Sequence, residues 1–187
     1  MILTKLKLVT KCIPNSLHKR FQKLHYDGYM PKPWYYDALV SAPPYSFADW
    51  DSAKQAIPEA TPGVYTIWIE EDLIYVGMSG RDDKKMLEAQ KQGMPYGLIQ
   101  RLKAHQSGRR SGDQFCVYVS DRLVLKTLSE GQIQEITDGK ISMDQLTKDF
   151  IHTNCNFRFI ATQSAQESFS VEDEIKQGSL GQTPLLN

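Results

Sequence analysis

The stretch TPGVYTIWIEEDLIYVGMS, residues 61–79, decides the fold. It holds two short runs of β-branched and aromatic residues, separated by three acidic residues at positions 70–72. Runs of this composition are typical of β-strands, and a polar break between two such runs predicts a hairpin.

A hairpin turn made of residues 70–72 fixes the strand register. It pairs Ile69 with Leu73, Ile67 with Tyr75, and Tyr65 with Gly77. Tyr65 and Tyr75 then lie diagonally on one face, within reach of each other, whereas a turn one residue longer separates them. Gly77 has no side chain, so a ligand can approach the backbone beside Tyr65. The alternative is a plain hairpin with two packing tyrosines.

Length and composition restrict the class of protein. The chain has 187 residues, which suits one domain with an N-terminal extension. It carries 22 basic and 22 acidic residues, so any nucleic-acid site must be a local basic patch. Three dispersed cysteines without a CxxC motif support neither a zinc knuckle nor a disulfide framework. We find neither a long apolar run nor a secretory signal, and we expect a cytoplasmic protein with no membrane contact.

The first 60 residues differ from the rest, because they hold six of the nine prolines. We expect residues 1–60 to form an arm packed on a core domain of residues 61–187. Within the arm, residues 16–26 have the pattern of a capped helix, and Ser46 is expected to cap a second helix over residues 47–56. The aromatic residues at 34–36 either stack on bases or pack on the core.

A basic segment follows the hairpin. Arg101 and His105 are four residues apart and share a helix face, and three further cations lie close by: Lys103, Arg109 and Arg110. No acid occurs within this segment before Asp113. It is the strongest local basic patch in the chain, although a solvated basic helix face is an equal alternative.

The remaining segments predict an α+β protein. Residues 115–128 fit a strand or a helix, and two helical patterns follow, the second capped by Ser142. Residues 155–163 alternate like a strand that pairs with the hairpin. We therefore expect a small central antiparallel or mixed sheet of about three strands flanked by helices.

The last helix, residues 165–176, carries the most unusual acid. On a helical wheel Ala165, Phe169, Val171 and Ile175 form the apolar side, and Glu172 falls near its middle. A carboxylate at such a position is costly unless it binds a metal or is paired. The alternative to a metal is an ion pair with Arg101 or Arg158.

Together these features resemble the GIY-YIG nuclease family. The tripeptides GVY at 63–65 and YVG at 75–77 match its two signatures, and GLIQRLKAH at 97–105 matches its arginine helix. VEDEIKQG at 171–178 matches its glutamate helix, and PLLN at 184–187 its closing asparagine segment. The spacing of His105 resembles the restriction-enzyme branch more than the repair branch. Two long stretches depart from the family pattern, one between YVG and the arginine helix and one over residues 112–154, where helical insertions are expected.

The resemblance implies metal-dependent hydrolysis of DNA phosphodiester bonds. It makes Glu172 the ligand of Mg²⁺ or Mn²⁺, Arg101 the phosphate-binding group, and Tyr65 either the general base or the residue that orients the attacking water. Tyr75 and His105 would be hydrogen-bonding partners, and His105 could also relay a proton. Gly63, Gly77 and Asn187 would brace the site.

The basic residues Arg101, Lys103, Arg109 and Arg110 are the expected nucleic-acid contacts. The sequence does not choose between DNA and RNA, and we expect DNA. A monomer or a weak, transient dimer is expected, because no apolar helical seam is visible. One alternative is a module on the same scaffold that binds nucleic acid without cleaving it. Another is a protein-interaction domain that uses the aromatic arm.

Overall fold

The computed structural model describes residues 32–187. The chain divides into two units, Met1–Lys32 and Pro33–Asn187. The strands and helices of the described residues all belong to the second unit. The helix expected over residues 16–26 lies outside the described residues.

The second unit combines short strands with helices. The strands are β1 (Tyr45–Ser46), β2 (Ala60–Thr61), β3 (Gly63–Ile69), β4 (Asp72–Ser79), β5 (Tyr96–Gly97) and β6 (Asn156–Ala161). The helices are α1 (Asp37–Ser41, a π-helical turn), α2 (Trp50–Ala56), α3 (Asp83–Gln92), α4 (Leu98–Gln106), α5 (Gln114–Val119), α6 (Glu130–Thr137), α7 (Met143–Asn154) and α8 (Ala165–Lys176).

The central sheet is antiparallel and has four strands in the order β1-β6-β3-β4, one more than the sequence predicts. The extra strand is β1, in which Ser46 pairs with Asn156 of β6. Ser46 therefore does not cap a helix, and the prediction of a helix over residues 47–56 is wrong at its start. Helix α2 begins at Trp50 and is capped by the Asp49 side chain. Strands β2 and β5 form a separate parallel pair.

The hairpin β3–β4 has a shorter turn than expected, yet its tyrosines lie where the sequence predicts. Ile69 pairs with Asp72 rather than with Leu73, so the turn is Glu70-Glu71. An irregularity after Ile67 leaves Ile74 as an extra residue on β4 and restores the expected register. Tyr65 consequently faces Gly77, and Ile67 faces Tyr75.

The sheet separates two apolar cores. Tyr65, Ile67 and Tyr75 pack on one face with Leu98 and Leu102 of α4, Phe115 of α5 and Ile151 of α7. Val64, Trp68 and Val76 pack on the other face with Leu39 of α1 and with Val171 and Ile175 of α8. Ile74 and Tyr75 are adjacent in sequence but belong to the same core, as a bulge at Ile74 requires.

Three capped helices occupy the stretch between α4 and β6. Residues 115–128, which the sequence left open between strand and helix, are helical, because α5 continues into a π-helical turn and a 3₁₀ turn. Asp113, Ser129 and Ser142 cap the N-termini of α5, α6 and α7. Along residues 32–187, no helix combines the length and apolar character needed to cross a membrane.

The C-terminal segment runs beside the edge strand β4. The backbone N–H groups of Leu185 and Leu186 donate to the carbonyls of Leu73 and Ile74. The Asn187 side chain accepts a hydrogen bond from Val76 N at 3.1 Å and donates one to Val76 O at 2.6 Å. This segment therefore satisfies backbone groups that an edge strand otherwise leaves open.

Replacing Asn187 by Ala removes both side-chain hydrogen bonds to Val76. We expect the free energy of unfolding to fall by about 1–3 kcal/mol, since a net hydrogen bond contributes about 0.5–1.5 kcal/mol. Urea unfolding followed by circular dichroism measures the change. The control Ser170→Ala, which alters an exposed helix position, should stay within about 0.5 kcal/mol of wild type. Equal midpoints for Asn187→Ala and wild type would show that the amide does not hold the edge.

Candidate functional site

A cleft of about 240 Å³ opens beside the end of β4. Its lining includes eight polar side chains drawn from separate parts of the chain: Tyr65, Tyr75, Ser79, Arg81, Tyr96, Gln100, Arg101 and Glu172. Four of the predicted catalytic residues therefore line one concave surface, although they span more than a hundred positions of sequence.

The two tyrosines lie side by side at the base of the cleft. The ring centroids of Tyr65 and Tyr75 are 6.4 Å apart. Gly77 makes this arrangement possible, because a Cβ atom at this position would collide with the Tyr65 hydroxyl and lie 3.0 Å from the Tyr75 ring. Gly63 likewise leaves no space for a side chain, since a Cβ atom there would collide with the carbonyl oxygen of Ile160.

Tyr65 is the first member of a buried chain of three hydrogen-bonded polar side chains. The Tyr65 hydroxyl is 2.7 Å from His105 Nε2, and His105 Nδ1 is 2.7 Å from Asp113 Oδ2. His105 is completely buried and Asp113 is 4% exposed. Buried polar groups of this kind must satisfy one another, so the three side chains act as one hydrogen-bonded unit.

Burial sets the protonation of this unit. Burial is the main reason that the pKa of Tyr65 lies well above its ordinary value, with Arg101 acting in the opposite direction. Burial also lowers the pKa of His105, against the opposing effect of Asp113. Burial would raise the pKa of Asp113, but the hydrogen bonds and nearby positive charge, led by the hydrogen bond to His105, together outweigh burial and the pKa is lowered. Near neutral pH the unit therefore consists of a protonated tyrosine, a neutral imidazole and a carboxylate.

Arg101 links the cleft to the buried unit. It lies on α4, one turn before His105, so both side chains point towards the sheet. Burial would lower the pKa of Arg101, but its interactions with Tyr65, Asp113 and Tyr75 together outweigh burial and the pKa is raised. The guanidinium therefore stays charged beside Tyr65, where it can bind an anion that enters the cleft.

Glu172 is buried at 6% exposure, as the sequence predicts. Its Oε1 lies 3.2 Å from the Lys176 ammonium, so its ion pair is with a residue one turn away rather than with Arg101 or Arg158. Arg158 instead lies over the Trp68 ring. The placement of Phe169 on the buried side of α8 is wrong, because Phe169 is 54% exposed.

The donor set of the cleft fits a hard divalent cation. Glu172 supplies a carboxylate, and the other polar lining groups are phenols, the Ser79 hydroxyl, an amide and guanidinium groups. Mg²⁺ binds through one or two carboxylates, substrate phosphate oxygens and water, and it needs no nitrogen or sulfur ligand.

A second group, His105, Asp113 and Cys116, has ligand atoms within 4.8 Å of one another and could hold a metal by distance alone. Both His105 ring nitrogens already have partners, and Asp113 Oδ1 accepts the backbone N–H of Cys116. Burial also raises the pKa of the Cys116 thiol, which opposes thiolate ligation. We therefore interpret this group as a hydrogen-bonded unit rather than as a metal centre.

The other predicted residues lie outside the cleft lining. Lys103 and Arg109 are exposed, and Arg110 forms an ion pair with Asp144 at 2.7 Å. Asn187 lies beside β4, hydrogen-bonded to Val76, the residue before Gly77. Only Arg101 of the four basic residues therefore faces the cleft, and the other three would contact nucleic acid only beyond it.

Sequence reasoning missed several residues of the site. Arg81 and Gln100 line the cleft, Asp113 completes the buried unit, and Lys176 pairs with Glu172. Asp113 could have been identified from the sequence, because it lies two residues before an apolar run and has the pattern of a helix cap. Arg81 and Gln100 gave no such signal, since nothing in their neighbourhood distinguishes them from exposed loop or helix residues.

Comparison with known proteins gives no relative: no protein-family model, no curated protein and no solved structure matches this chain. The function must therefore be argued from the site itself.

Replacing Gly77 by Ala should displace Tyr65, because the added methyl group needs the space of the Tyr65 hydroxyl. We expect a loss of about 1–3 kcal/mol in the free energy of unfolding, as for other overpacked cores. The control Gly131→Ala lies in helix α6, where the nearest atom is 3.9 Å from the new Cβ. It should leave stability unchanged or raise it by up to about 1 kcal/mol. Urea unfolding compares both with wild type, and equal losses would refute the steric argument.

Stability should fall on acidification because of His105. Its pKa is lower in the folded state than in the unfolded chain, so the unfolded chain takes up a proton first as the pH drops through about 6.5. One proton contributes at most about 1.4 kcal/mol per pH unit between pH 7.5 and 5. Urea denaturation across this pH range should show that the free energy of unfolding falls with pH equally in wild type and in His152→Gln. The fall should be smaller in His105→Gln. An unchanged slope in His105→Gln would count against a neutral buried imidazole.

Proposed function

We propose that this protein is a metal-dependent endonuclease of the GIY-YIG type that hydrolyses DNA phosphodiester bonds. The observation that carries the proposal is the convergence of Tyr65, Tyr75, Arg101 and Glu172 on one cleft, with His105 hydrogen-bonded to Tyr65. A purely structural role would explain two packed tyrosines on the hairpin. It would not explain an arginine and a buried carboxylate beside them.

Arg101 is the proposed phosphate-binding group. Its guanidinium is half-buried and interacts with Tyr65, so a phosphate held by its planar fork lies next to the tyrosine hydroxyl. The partly desolvated setting strengthens this interaction relative to an exposed arginine. Arg81 lies on the same cleft and adds positive charge for the polyanion.

Tyr65 and His105 are the proposed base. The raised pKa of Tyr65 means that it is protonated at rest and cannot take a proton from water unless it gives up its own. His105 Nε2, 2.7 Å away, is the acceptor for that proton. As water forms the new P–O bond, its proton passes to the Tyr65 oxygen and the Tyr65 proton passes to His105. The bond to the leaving oxygen breaks with its electron pair on that oxygen, which then takes a proton from solvent.

Glu172 would hold the divalent cation, Mg²⁺ or Mn²⁺. When bound, this cation supplies charge neutralisation on the phosphate and stabilises the leaving oxygen. Lys176 keeps the Glu172 carboxylate paired in the absence of a metal ion. Tyr75 packs edge-on against the His105 ring and, with Phe115, holds that ring against Tyr65.

One cleft acts on one strand at a time. A monomer would therefore nick duplex DNA, and double-strand cleavage would need two sites, as in a transient dimer. Because the net charge is balanced, DNA binding would rest on local phosphate contacts such as that of Arg101, and each such contact makes association more sensitive to salt.

Conversion of supercoiled plasmid tests the proposal. Wild type should nick or linearise the plasmid with Mg²⁺ or Mn²⁺ and not with EDTA. Glu172→Gln should lower the rate at least about 10-fold, because losing a direct metal ligand should cost no less than losing an outer-shell partner of such a ligand. The control Asp173→Asn changes the neighbouring exposed acid and should cleave like wild type.

The same assay separates the alternatives. Salt-sensitive plasmid binding without cleavage under any metal ion would contradict the nuclease and support a non-catalytic binding module. Full activity in Glu172→Gln would instead contradict the role of Glu172 as the metal ligand. Parallel assays on single-stranded DNA and RNA identify the substrate class. Absence of binding to every nucleic acid would contradict both functions and leave a protein-interaction domain.

A further inference from the structure

The Asp113 carboxylate lies outside the cleft and makes two hydrogen bonds, one with each oxygen. Its Oδ1 accepts the backbone N–H of Cys116 at 3.2 Å and thereby caps helix α5. Its Oδ2 lies 2.7 Å from His105 Nδ1. The first bond holds the carboxylate at the start of a helix, so the second reaches His105 from a fixed position.

These bonds determine which His105 nitrogen carries the proton. An ionised carboxylate can only accept hydrogen bonds, so Nδ1 must be the protonated nitrogen. A neutral imidazole has one N–H group, which leaves Nε2 with a lone pair facing the Tyr65 hydroxyl. The hydrogen bond between Tyr65 and His105 therefore runs from the tyrosine to the imidazole.

We propose that Asp113 is a positioning residue, which holds His105 in the Nδ1-protonated tautomer so that Nε2 can receive the Tyr65 proton. The catalytic consequence of this inference rests on the proposed nuclease function, whereas the assignment of the tautomer does not. When the proton arrives, His105 becomes an imidazolium and the Asp113 carboxylate stabilises its charge. The proton later leaves to solvent, and Asp113 gains and loses none.

No other group of the described residues 32–187 is placed to do this. Tyr75 and Phe115 contact His105 through their ring faces and edges. The Cys116 thiol donates to the His105 backbone carbonyl, and Arg101 carries a positive charge that opposes protonation of the ring. Asp113 is thus the anion in direct contact with the imidazole.

The test uses Asp113→Asn, which keeps the size of the side chain and remains a good helix cap. With its oxygen bonded to Cys116 N, the new amide presents N–H to His105 Nδ1, which must then accept. Nε2 carries the proton instead and can no longer receive one from Tyr65. The matched control is Asp144→Asn, a nearby acid that is paired with Arg110 away from the cleft.

Nitrogen NMR of the protein labelled in its histidine rings measures the tautomer directly, without any cleavage assay. We expect Nδ1–H in wild type and in Asp144→Asn, and Nε2–H in Asp113→Asn. Single-turnover plasmid cleavage at saturating DNA should then fall about 10²–10⁴-fold in Asp113→Asn, with DNA affinity within twofold of wild type.

Each outcome decides a separate point. Nε2–H in wild type overturns the inference, and this measurement needs no variant to fold. The expected tautomers with undiminished cleavage by Asp113→Asn overturn the positioning role. A wild type that shows Nδ1–H but cuts no nucleic acid refutes the proposed function and the catalytic consequence, while the tautomer assignment stands.

Discussion

The hydrogen bond between Tyr65 and His105 is the interaction on which the cleft depends. It joins the central strand β3 to helix α4, and through Asp113 it extends to the start of α5. All three groups lie in an apolar core, where an unpaired phenol, imidazole or carboxylate would each carry a large desolvation cost. Because each group satisfies the next, the unit is stable only when all three are present in one geometry. The helix that carries Arg101 is thereby fixed relative to the strand that carries Tyr65.

The sequence predicts the hairpin well because its side chains alternate with a period of two. The pairing of Tyr65 with Gly77 is confirmed, although the turn from which it was deduced is one residue shorter than expected. A bulge at Ile74 compensates, and it places Ile74 and Tyr75 on one side of the sheet. The sequence around Ile74 does not predict this bulge, because Leu73, Ile74 and Tyr75 are all apolar or aromatic and such a run is compatible with either register. The pairing of Tyr65 is thus predicted correctly only because the shorter turn and the bulge at Ile74 shift the register in opposite directions.

Predictions that depend on tertiary context succeed less well. The helical wheel places both Glu172 and Phe169 on the buried side of α8, but only Glu172 is covered, because the helix contacts β3 and β4 along a narrower stripe. Lys176 as the partner of Glu172 follows from an i, i+4 spacing, whereas the partners named from the sequence are two distant arginines instead. The contact between Asp113 and His105 depends on how α5 folds back on α4, which no local pattern encodes. The nuclease activity itself stays a prediction, since no comparison bears on it.

The position of the cleft follows from the sheet edge. Tyr65 and Tyr75 belong to the core on one face, whereas α8, which carries Glu172, packs on the opposite face. Groups from opposite faces of a sheet can meet only around an edge, and β4 is the edge strand. The C-terminal segment covers that edge as far as Val76, and the cleft lining begins at the next residue, Gly77. Gly77 lacks the side chain that would fill this space, so the phenols and the carboxylate share one cleft there.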